Sequence, residues 1–564
     1  MIKCRAWAHG TGAASRPWCG VSPVSELLPD PGGERRTCPA AGEGYGRARA
    51  TYVRRRPEDT VLHRVVREHL ETFLAEARRR GDGTGVPRFV EKELREFLGC
   101  GVLARGFARF RCPDCFREIL VAFSCKGRGF CPSCGGRRMA ELAAHLVADV
   151  LGGLPVRQWV LTLPYRLRYA LAWDHRLCRA VLAVCIRALL AFERRRARRR
   201  GVRQGRGGAV TAIQRFGSAL NTNVHFHTLA IQGVFSETPD GERRFLPAPA
   251  PSDADVGRLL ATIRQRVVRL VARRGIDLAH AAADEAGDER QWEWPAYAAI
   301  QGAAVVGRAA LGRHAGRAVV RRGAQPERRP ERPRQALHAH LDGFDLHAAV
   351  AVPAGDRSRL AHLCRYVLRP PLAQQRLEAT SDGKVVVGLR RPWSDGTRAV
   401  CFEPLEFLEK LAAMIPKPRI NLLLYHGVVA PHARLRPEAV RRARQASPPE
   451  VASTGEAPPT TSVPGAQLPA GASVRAAPAG PMAARPPPRR RFAWADLLRR
   501  TFAIDVLACP ECGGQLRLIA CIDAPAVIEK ILRHLGLPTQ VPEPVAARQQ
   551  EWFPGLSKAD DCPA

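Results

Sequence analysis

Long apolar segments are missing from this 564-residue chain. No run approaches the roughly 20 apolar residues that a membrane-spanning helix needs. The N-terminal stretch MIKCRAWAHGTGAASRPWCG also lacks the apolar centre of a secretory signal peptide. We therefore expect a cytoplasmic protein without a membrane partner. In that compartment the 17 cysteines are not expected to form a disulfide framework, so closely spaced cysteines indicate metal binding.

Acidic residues are scarce relative to basic ones. The chain has 53 Asp and Glu against 88 Lys and Arg, which gives a net charge of +35 and a pI of about 10.8. Such an excess favours a polyanionic partner, above all nucleic acid, because arginine binds phosphate through two parallel N–H groups. GC-rich coding also raises Arg, Ala, Gly and Pro together, so part of the excess has a second explanation.

Composition and periodicity divide the chain into six stretches and predict an α+β fold. Apolar residues recur at helical spacing in 63–80 and 88–101, whereas QWVLTLPY and VHFHTLAIQGVF are typical of strands. The predicted division is as follows: disorder in 1–50, a helical and zinc-ribbon DNA-binding domain in 51–150, a second folded domain in 151–438, a disordered Ala/Pro-rich linker in 439–490, a small C-terminal unit with a CxxC motif in 491–540, and a tail in 541–564.

The segment FRCPDCFREILVAFSCKGRGFCPSCGGRR contains the pairs Cys112-x-x-Cys115 and Cys131-x-x-Cys134, separated by fifteen residues. Two such turns supply four sulfurs at the spacing of a zinc ribbon, which predicts one tetrahedral zinc site. Cys100 and Cys125 are expected to be buried thiols, although either could replace a ligand or contribute to a second site.

A zinc site closed by four sulfurs is structural, so its expected role is to present basic side chains to DNA. The basic side chains of this segment are Arg109, Arg111, Lys126, Arg128, Arg137 and Arg138. A further pair, Cys509-x-x-Cys512, has only Cys521 nearby. The sequence therefore leaves open whether this pair binds zinc.

His225 and His227 are separated by one residue in the strand-like stretch NTNVHFHTLAIQGVF. Alternate residues of a strand face the same side, so the two imidazoles are expected to point together, with Phe226 on the other face. Two imidazoles on one face can hold a divalent ion. Histidines in this pattern also commonly form only local hydrogen bonds in a core, and the pattern alone favours that reading.

Tyr366 lies in the helical stretch SRLAHLCRYVLRPP. The apolar residues of this stretch follow a helical stripe predicted to face the core: Leu360, Leu363, Cys364, Val367 and Leu368. Tyr366 falls outside the stripe, near Arg359, His362 and Arg369. Arginines lower the cost of forming a phenolate and bind phosphate, which suits attack on a phosphodiester. An isolated surface tyrosine is the commoner case.

Several segments in fixed order resemble the rolling-circle, HUH-type transposases of the IS91 family. The resemblance covers roughly 52–438, with a weaker match at 491–538. The matching stretches are FARFRCPDC, FSCKGRGFCPSCGGRRM, QRFGSALNTNVHFHTLAIQGVF, LCRYVLRPPLA and PKPRINLLLYHGVVAPHARLRP. The resemblance implies an antiparallel sheet with flanking helices, with the HUH strand at its centre and the tyrosine on a nearby helix.

The same resemblance implies a reaction and a set of residues. Tyr366 would be the nucleophile that forms a 5′-phosphotyrosine with single-stranded DNA, and His225 and His227 would hold Mg²⁺ or Mn²⁺. A third ligand is expected, with His347, Gln374 and Gln375 as candidates. The position four before Tyr366 is His362 and the position four after it is Pro370, which indicates a single-tyrosine form. Tyr425 is a possible second tyrosine, expected instead to be packed.

The leading hypothesis is thus a nucleoid-associated DNA transposase with structural zinc, acting on single- and double-stranded DNA and able to oligomerise. The residues expected to contact DNA are Arg128, Arg137, Arg138, Arg365 and Arg369. One alternative is a zinc-dependent DNA-binding protein without catalysis. Another is a replication initiator or relaxase, which the N-terminal zinc ribbon disfavours.

Overall fold

A computed structural model describes residues 50–51, 54–237, 240–276, 293–325, 335–445, 504–505 and 507–548. Residues 1–49 of the stretch predicted to be disordered and most of the Ala/Pro-rich linker lie outside these residues. In the described parts of the chain, no helix combines the length and the apolar character needed to cross a bilayer.

Helices and strands are interspersed along the described residues. The helices are α1 Val61–Arg80, α2 Arg88–Leu98, α3 Pro132–His145, α4 Tyr165–Trp173, α5 His175–Arg198, α6 Asp253–Ala272, α7 Pro295–Val306, α8 Arg357–Val367, α9 Pro404–Met414, α10 Arg436–Gln445 and α11 Pro525–His534. A π-helical turn, Leu146–Leu151, continues α3.

The strands are shorter, with the two longest in the middle of the chain. They are β1 Ala50–Thr51, β2 Phe107–Arg111, β3 Glu118–Ala122, β4 Val156–Thr162, β5 Gly208–Phe216, β6 Thr222–Ile231, β7 Gly233–Glu237, β8 Arg243–Pro247, β9 Val320–Arg322, β10 His338–Leu341, β11 Phe344–His347, β12 Ala351–Val352, β13 Leu377–Ala379, β14 Val385–Gly388, β15 Ala399–Phe402, β16 Leu423–Gly427, β17 Ile504–Asp505 and β18 Arg517–Ile522.

Seven strands form the main sheet in the order β10-β11-β4-β6-β5-β16, with β12 also paired to β4. The pairings in this sheet are all antiparallel. Strand β6 lies at the centre and all ten of its residues are buried, because helices cover both faces of the sheet. The expected α+β architecture, with the two-histidine strand central, is confirmed.

The two faces of the sheet bury different sets of side chains. On one face, Leu161 and Phe226 pack with α4, α5 and α6. On the other, Val160 and Leu229 pack with the end of α3 and with α8. The alternation of side chains along each strand therefore places His225 and His227 on the α8 face and Phe226 on the opposite face, as predicted.

The N-terminal helices do not form a core of their own. Helices α1 and α2 pack with α7 and α9 and with the sheet β13-β14-β15-β9, all of which belong to later sequence. The buried pair Glu409–Lys410 lies in this core, where Glu409 accepts hydrogen bonds from Ala310 N (2.7 Å) and Leu311 N (2.6 Å). The boundary drawn near residue 150 is thus not a spatial boundary.

The C-terminal strand completes the sheet of the zinc ribbon. Strand β18 pairs with β2, and β2 pairs with β3, which gives a three-stranded antiparallel sheet. Strands β2 and β3 form a hairpin whose loop carries the first CxxC pair. Beyond α11, residues near Val545 run along α1, where the Val545 N–H donates to the Arg67 carbonyl at 2.8 Å. Helix α10 crosses the linker boundary drawn at residue 439.

Candidate active site and cysteine clusters

His225 and His227 lie side by side on β6, with ring centroids 4.9 Å apart. Both are buried, with exposed fractions of 7% and 2%. Their partners across β4 are Thr162 and Val160. The two imidazoles therefore face one point above the sheet, as the alternation of the strand requires.

Hydrogen bonds fix the orientation of both rings. His225 Nδ1 lies 2.9 Å from the Asn223 carbonyl oxygen. A carbonyl only accepts, so Nδ1 carries the proton and Nε2 keeps its lone pair. Gln158 Nε2 lies 2.8 Å from His227 Nδ1, so in this orientation the amide donates to that nitrogen. Gln158 Oε1 is buried without a hydrogen-bond partner among the described residues. Turning the amide over, which exchanges its oxygen and nitrogen, would let Oε1 accept from Nδ1–H and leave the lone pair on Nε2.

Both imidazoles are held neutral. Burial lowers the pKa of His225 to about 4, opposed by the hydrogen bond to Asn223 and assisted by the Arg369 charge. Burial and the neighbouring His225 hold the pKa of His227 well below its usual value. His227 Nε2 is buried and has no hydrogen-bond partner among the described residues. Neutral imidazoles with directed lone pairs fit a divalent ion.

Helix α8, hereafter the tyrosine helix, carries Tyr366 over this face of the sheet. It begins after Asp356, whose carboxylate accepts from Arg359 N at 2.9 Å, and ends at Val367, ahead of Pro370. The predicted apolar stripe packs on the sheet, with Leu368 half-buried and the other four members fully buried. The half-buried Tyr366 ring stands edge-on to His227, with centroids 5.7 Å apart.

Two side chains anchor the end of the tyrosine helix. Gln214 Nε2 donates to the Val367 carbonyl at 2.7 Å. Gln214 is also the partner of His225 across β5, so one residue ties the strand with the histidines to the helix with the tyrosine. The Arg369 guanidinium lies over the Tyr366 ring, with Cζ 4.5 Å from its centroid. This contact places a cation against the face of the tyrosine ring.

A cavity of about 570 Å³ opens next to this cluster. It lies between the cysteine-rich segment, strand β5 and the residues that follow the tyrosine helix. Its basic lining includes Arg128, Arg138, Arg215 and Arg369, and Tyr425 also lines it. Tyr425 packs against the core on this side of the sheet, as expected, and its half-buried ring also lies on the cavity wall. The position and the positive charge of the cavity suit the sugar–phosphate backbone of a nucleic-acid strand.

The first cysteine cluster consists of Cys100, Cys125, Cys131 and Cys134, with all sulfurs within 4.8 Å of one another. Cys100 Sγ lies 3.6 Å from Cys131 Sγ and 3.8 Å from Cys134 Sγ. Four convergent thiols without a disulfide fit a tetrahedral zinc ion. The two thiols expected to be spare are therefore part of a four-sulfur set.

The second cysteine cluster consists of Cys112, Cys115, Cys509 and Cys512. The expectation that Cys112 and Cys115 share one site with Cys131 and Cys134 is thus corrected. The reason is topological: each CxxC turn finds partners delivered by other elements, Cys100 after α2 and the C-terminal pair before β18. Sequence spacing could not reveal either partner.

Comparisons with family models match both the cysteine-rich segment and the segment that carries the histidines and the tyrosine. Residues 65–163 match the family described as "Transposase zinc-binding domain", of the IS91 group. Residues 208–436, which include the histidines and the tyrosine, match the family described as "Putative transposase". The chain is an IS91-family transposase. Searches of curated proteins and of solved structures gave no match. Neither matched segment includes Cys509 or Cys512.

The structure of the transposase also locates the candidate third ligands. His347 lies on the same sheet face, two strands from His227 through Val160, which is roughly 10 Å between Cα atoms. Burial lowers its pKa to about 4. In the described residues, the two histidines belong to no group of three or more close His, Cys, Asp or Glu donors. Gln374 and Gln375 form a 3-10 turn before β13. The third ligand stays a prediction.

The basic residues predicted to bind DNA separate into two groups. Arg128, Arg138 and Arg369 line the cavity, whereas Arg365 is exposed on the tyrosine helix and Arg137 is half-buried on α3. Sequence reasoning missed Gln158 and Gln214, which orient His227 and the tyrosine helix. Gln158 lies in a strand that the sequence indicated, but only strand pairing shows which histidine or helix each glutamine faces.

Proposed function

We propose that this transposase nicks single-stranded DNA through Tyr366 and transfers the strand in a rolling-circle-like transposition. The Tyr366 oxygen bonds to the scissile phosphorus while the bond from phosphorus to the 3′ oxygen breaks. The phenolic proton is delivered to the 3′ oxygen, so the products are a 5′-phosphotyrosine and a free 3′-OH. The covalent link conserves a phosphoester, so rejoining to a second strand needs no ATP.

The observation that carries this proposal is the contact between His227 and Tyr366, at 5.7 Å between ring centroids. A nucleophile from one element and a pair of neutral imidazoles from another meet at a single point on the sheet. His225 and His227 would hold Mg²⁺ or Mn²⁺, which when bound supplies positive charge to the phosphate oxygens. The third ligand would come from His347 or from Gln374 or Gln375.

The residues around Tyr366 have separate roles in this scheme. Arg369, 4.5 Å from the ring centroid, would favour the phenolate and receive the phosphate charge. Gln214 would hold the end of the tyrosine helix against the strand that carries His225. The basic cavity beside Arg369 would receive the single strand.

The test is covalent capture of DNA. Purified protein is incubated with Mn²⁺ and single-stranded oligonucleotides from both ends of the element that carries its coding sequence. We expect a protein–DNA adduct that resists denaturant for the wild type and for Tyr425→Phe, the matched control on the wall of the adjacent cavity. We expect none for Tyr366→Phe or after EDTA. An adduct that persists in Tyr366→Phe removes Tyr366 as the nucleophile.

DNA binding without any adduct in the wild type would instead support the non-catalytic alternative. Cleavage that survives EDTA would exclude the proposed metal role of His225 and His227.

A further inference from the structure

The CxxC turns at Cys112 and Cys509 have the same backbone geometry, although almost 400 residues separate them. In the first, the Cys112 N–H donates to the Arg117 carbonyl at 2.9 Å. In the second, the Cys509 N–H donates to the Gly514 carbonyl at 2.7 Å. Each turn thus closes the same six-residue loop.

The residue after the second cysteine completes the likeness. The Phe116 N–H donates to the Cys112 carbonyl at 3.1 Å, and the Gly513 N–H donates to the Cys509 carbonyl at 3.0 Å. Both residues have a positive φ, 61° at Phe116 and 73° at Gly513. A left-handed phenylalanine is uncommon, so this turn is held in its shape by its surroundings. Two equal turns indicate two halves of one ribbon.

Each sulfur of one turn lies close to a sulfur of the other turn. Cys112 Sγ lies 3.5 Å from Cys512 Sγ, and Cys115 Sγ lies 3.4 Å from Cys509 Sγ. Each close pair joins one turn to the other. A disulfide would require about 2.05 Å. Zn–S bonds of about 2.3 Å in a tetrahedron place sulfurs roughly 3.8 Å apart. The separations therefore match a shared ion rather than covalent bonds.

Strand pairing brings the two turns to the same end of the sheet. Strand β2 ends at Arg111 and leads directly into Cys112, and Arg111 is the partner of Arg517 at the start of β18. Cys509 and Cys512 come just before β18. Helix α11 then packs on Leu103 and Phe107 of the N-terminal segment. The C-terminal unit is thus docked on the cysteine-rich ribbon by sheet, helix and sulfur contacts.

We propose that Cys112, Cys115, Cys509 and Cys512 bind a second structural zinc ion, which joins the two ends of the chain across the Ala/Pro-rich linker. The zinc ribbon is then built from two halves distant in sequence. Its consequence is mechanical: the metal strengthens the docking of the C-terminal unit on the N-terminal ribbon beyond what the sheet and helix contacts provide.

Zinc content per chain tests the site directly. We expect two zinc ions in the full-length wild type. The double variant Cys509→Ser/Cys512→Ser should hold one, and so should Cys112→Ser/Cys115→Ser. Cys521→Ser, an exposed cysteine of β18 outside both clusters, should keep two. Cys512→His should also keep two, because imidazole can replace thiolate at an exposed ligand position.

A wild type with one zinc ion, or a Cys509→Ser/Cys512→Ser variant that keeps two, overturns the proposal. The latter result would return Cys112 and Cys115 to a site without the C-terminal pair.

Linker cleavage tests the mechanical role. A site-specific protease sequence is inserted into the linker near residue 465, and the cut protein is passed over a size-exclusion column. We expect the two pieces of the wild type to coelute and those of Cys509→Ser/Cys512→Ser to separate, with at least tenfold weaker association. Equal association in both proteins contradicts zinc-dependent docking. Neither readout depends on DNA cleavage, so failure here leaves the proposed nuclease reaction untouched.

Discussion

The cysteine clusters and the histidine–tyrosine site differ in how completely the protein surrounds the centre. Each cysteine cluster offers four sulfurs that face one another, which leaves no position for a substrate. His225 and His227 offer two nitrogens beside Tyr366 and a basic cavity. Closed donor sets are structural, whereas catalytic metal sites keep positions open. This difference favours a structural role for the cysteines and supports the catalytic role proposed for the histidines.

The largest effect on DNA cleavage is expected from removing both histidines of the proposed catalytic metal site. The variant His225→Ala/His227→Ala should lower the rate of adduct formation by about 1,000-fold or more, because the phosphate loses its electrostatic support. Zinc content should stay unchanged. Adduct formation is followed on denaturing gels, with zinc content as the control. A variant that cleaves normally would assign the chemistry elsewhere.

Removing one cysteine of the first cluster should lower the stability of the fold. Cys134→Ala should lower the melting temperature on the order of 10 °C and release one zinc ion, because zinc binding contributes directly to folding. Cys178→Ala is the matched control, since Cys178 is buried in α5 outside both clusters. Calorimetry compares the two. Equal melting temperatures would mean that the first cluster does not stabilise the fold.

Removing the hydrogen bond that orients His227 should have an intermediate effect, on the affinity for the metal ion. Gln158→Leu removes the hydrogen bond to His227 Nδ1, so Mn²⁺ affinity should fall about 10- to 100-fold. Thr162→Val is the control, because Thr162 is the strand partner of His225 and its hydroxyl has no partner among the described residues. Titration calorimetry measures both. An unchanged affinity in Gln158→Leu would show that ring orientation does not depend on this amide.

The smallest effect concerns pH. Burial lowers the pKa of His225 to about 4, so the folded imidazole stays neutral between pH 6.5 and about 4, where an ordinary histidine gains a proton. Mn²⁺ binding should therefore persist at pH 5.5 with about the affinity measured at pH 7. Below about pH 4, protonation should displace the ion. Mn²⁺ paramagnetic resonance follows this, and a midpoint near 6.5 would contradict it.

The helices and the central strand could be predicted because their signals are local. The apolar stripe of the tyrosine helix and the alternation around Phe226 follow from periodicity, and both are confirmed. The pairing of cysteines could not be predicted. Two CxxC turns at ribbon spacing suggested one site, whereas Cys100 and the C-terminal pair complete two separate clusters. Spacing describes only ligands on one stretch of chain.

By itself, the sequence determined the family, the α+β class, the face of β6 that carries both histidines and the side of the helix that carries Tyr366. Only the tertiary structure decided that Tyr366 stands over His227, that Gln158 and Gln214 hold them, and that Cys509 meets Cys115. Residue types and periodicity are set by neighbouring positions in the chain. Contacts between distant segments depend on strand order and register, which are fixed only when the whole core packs.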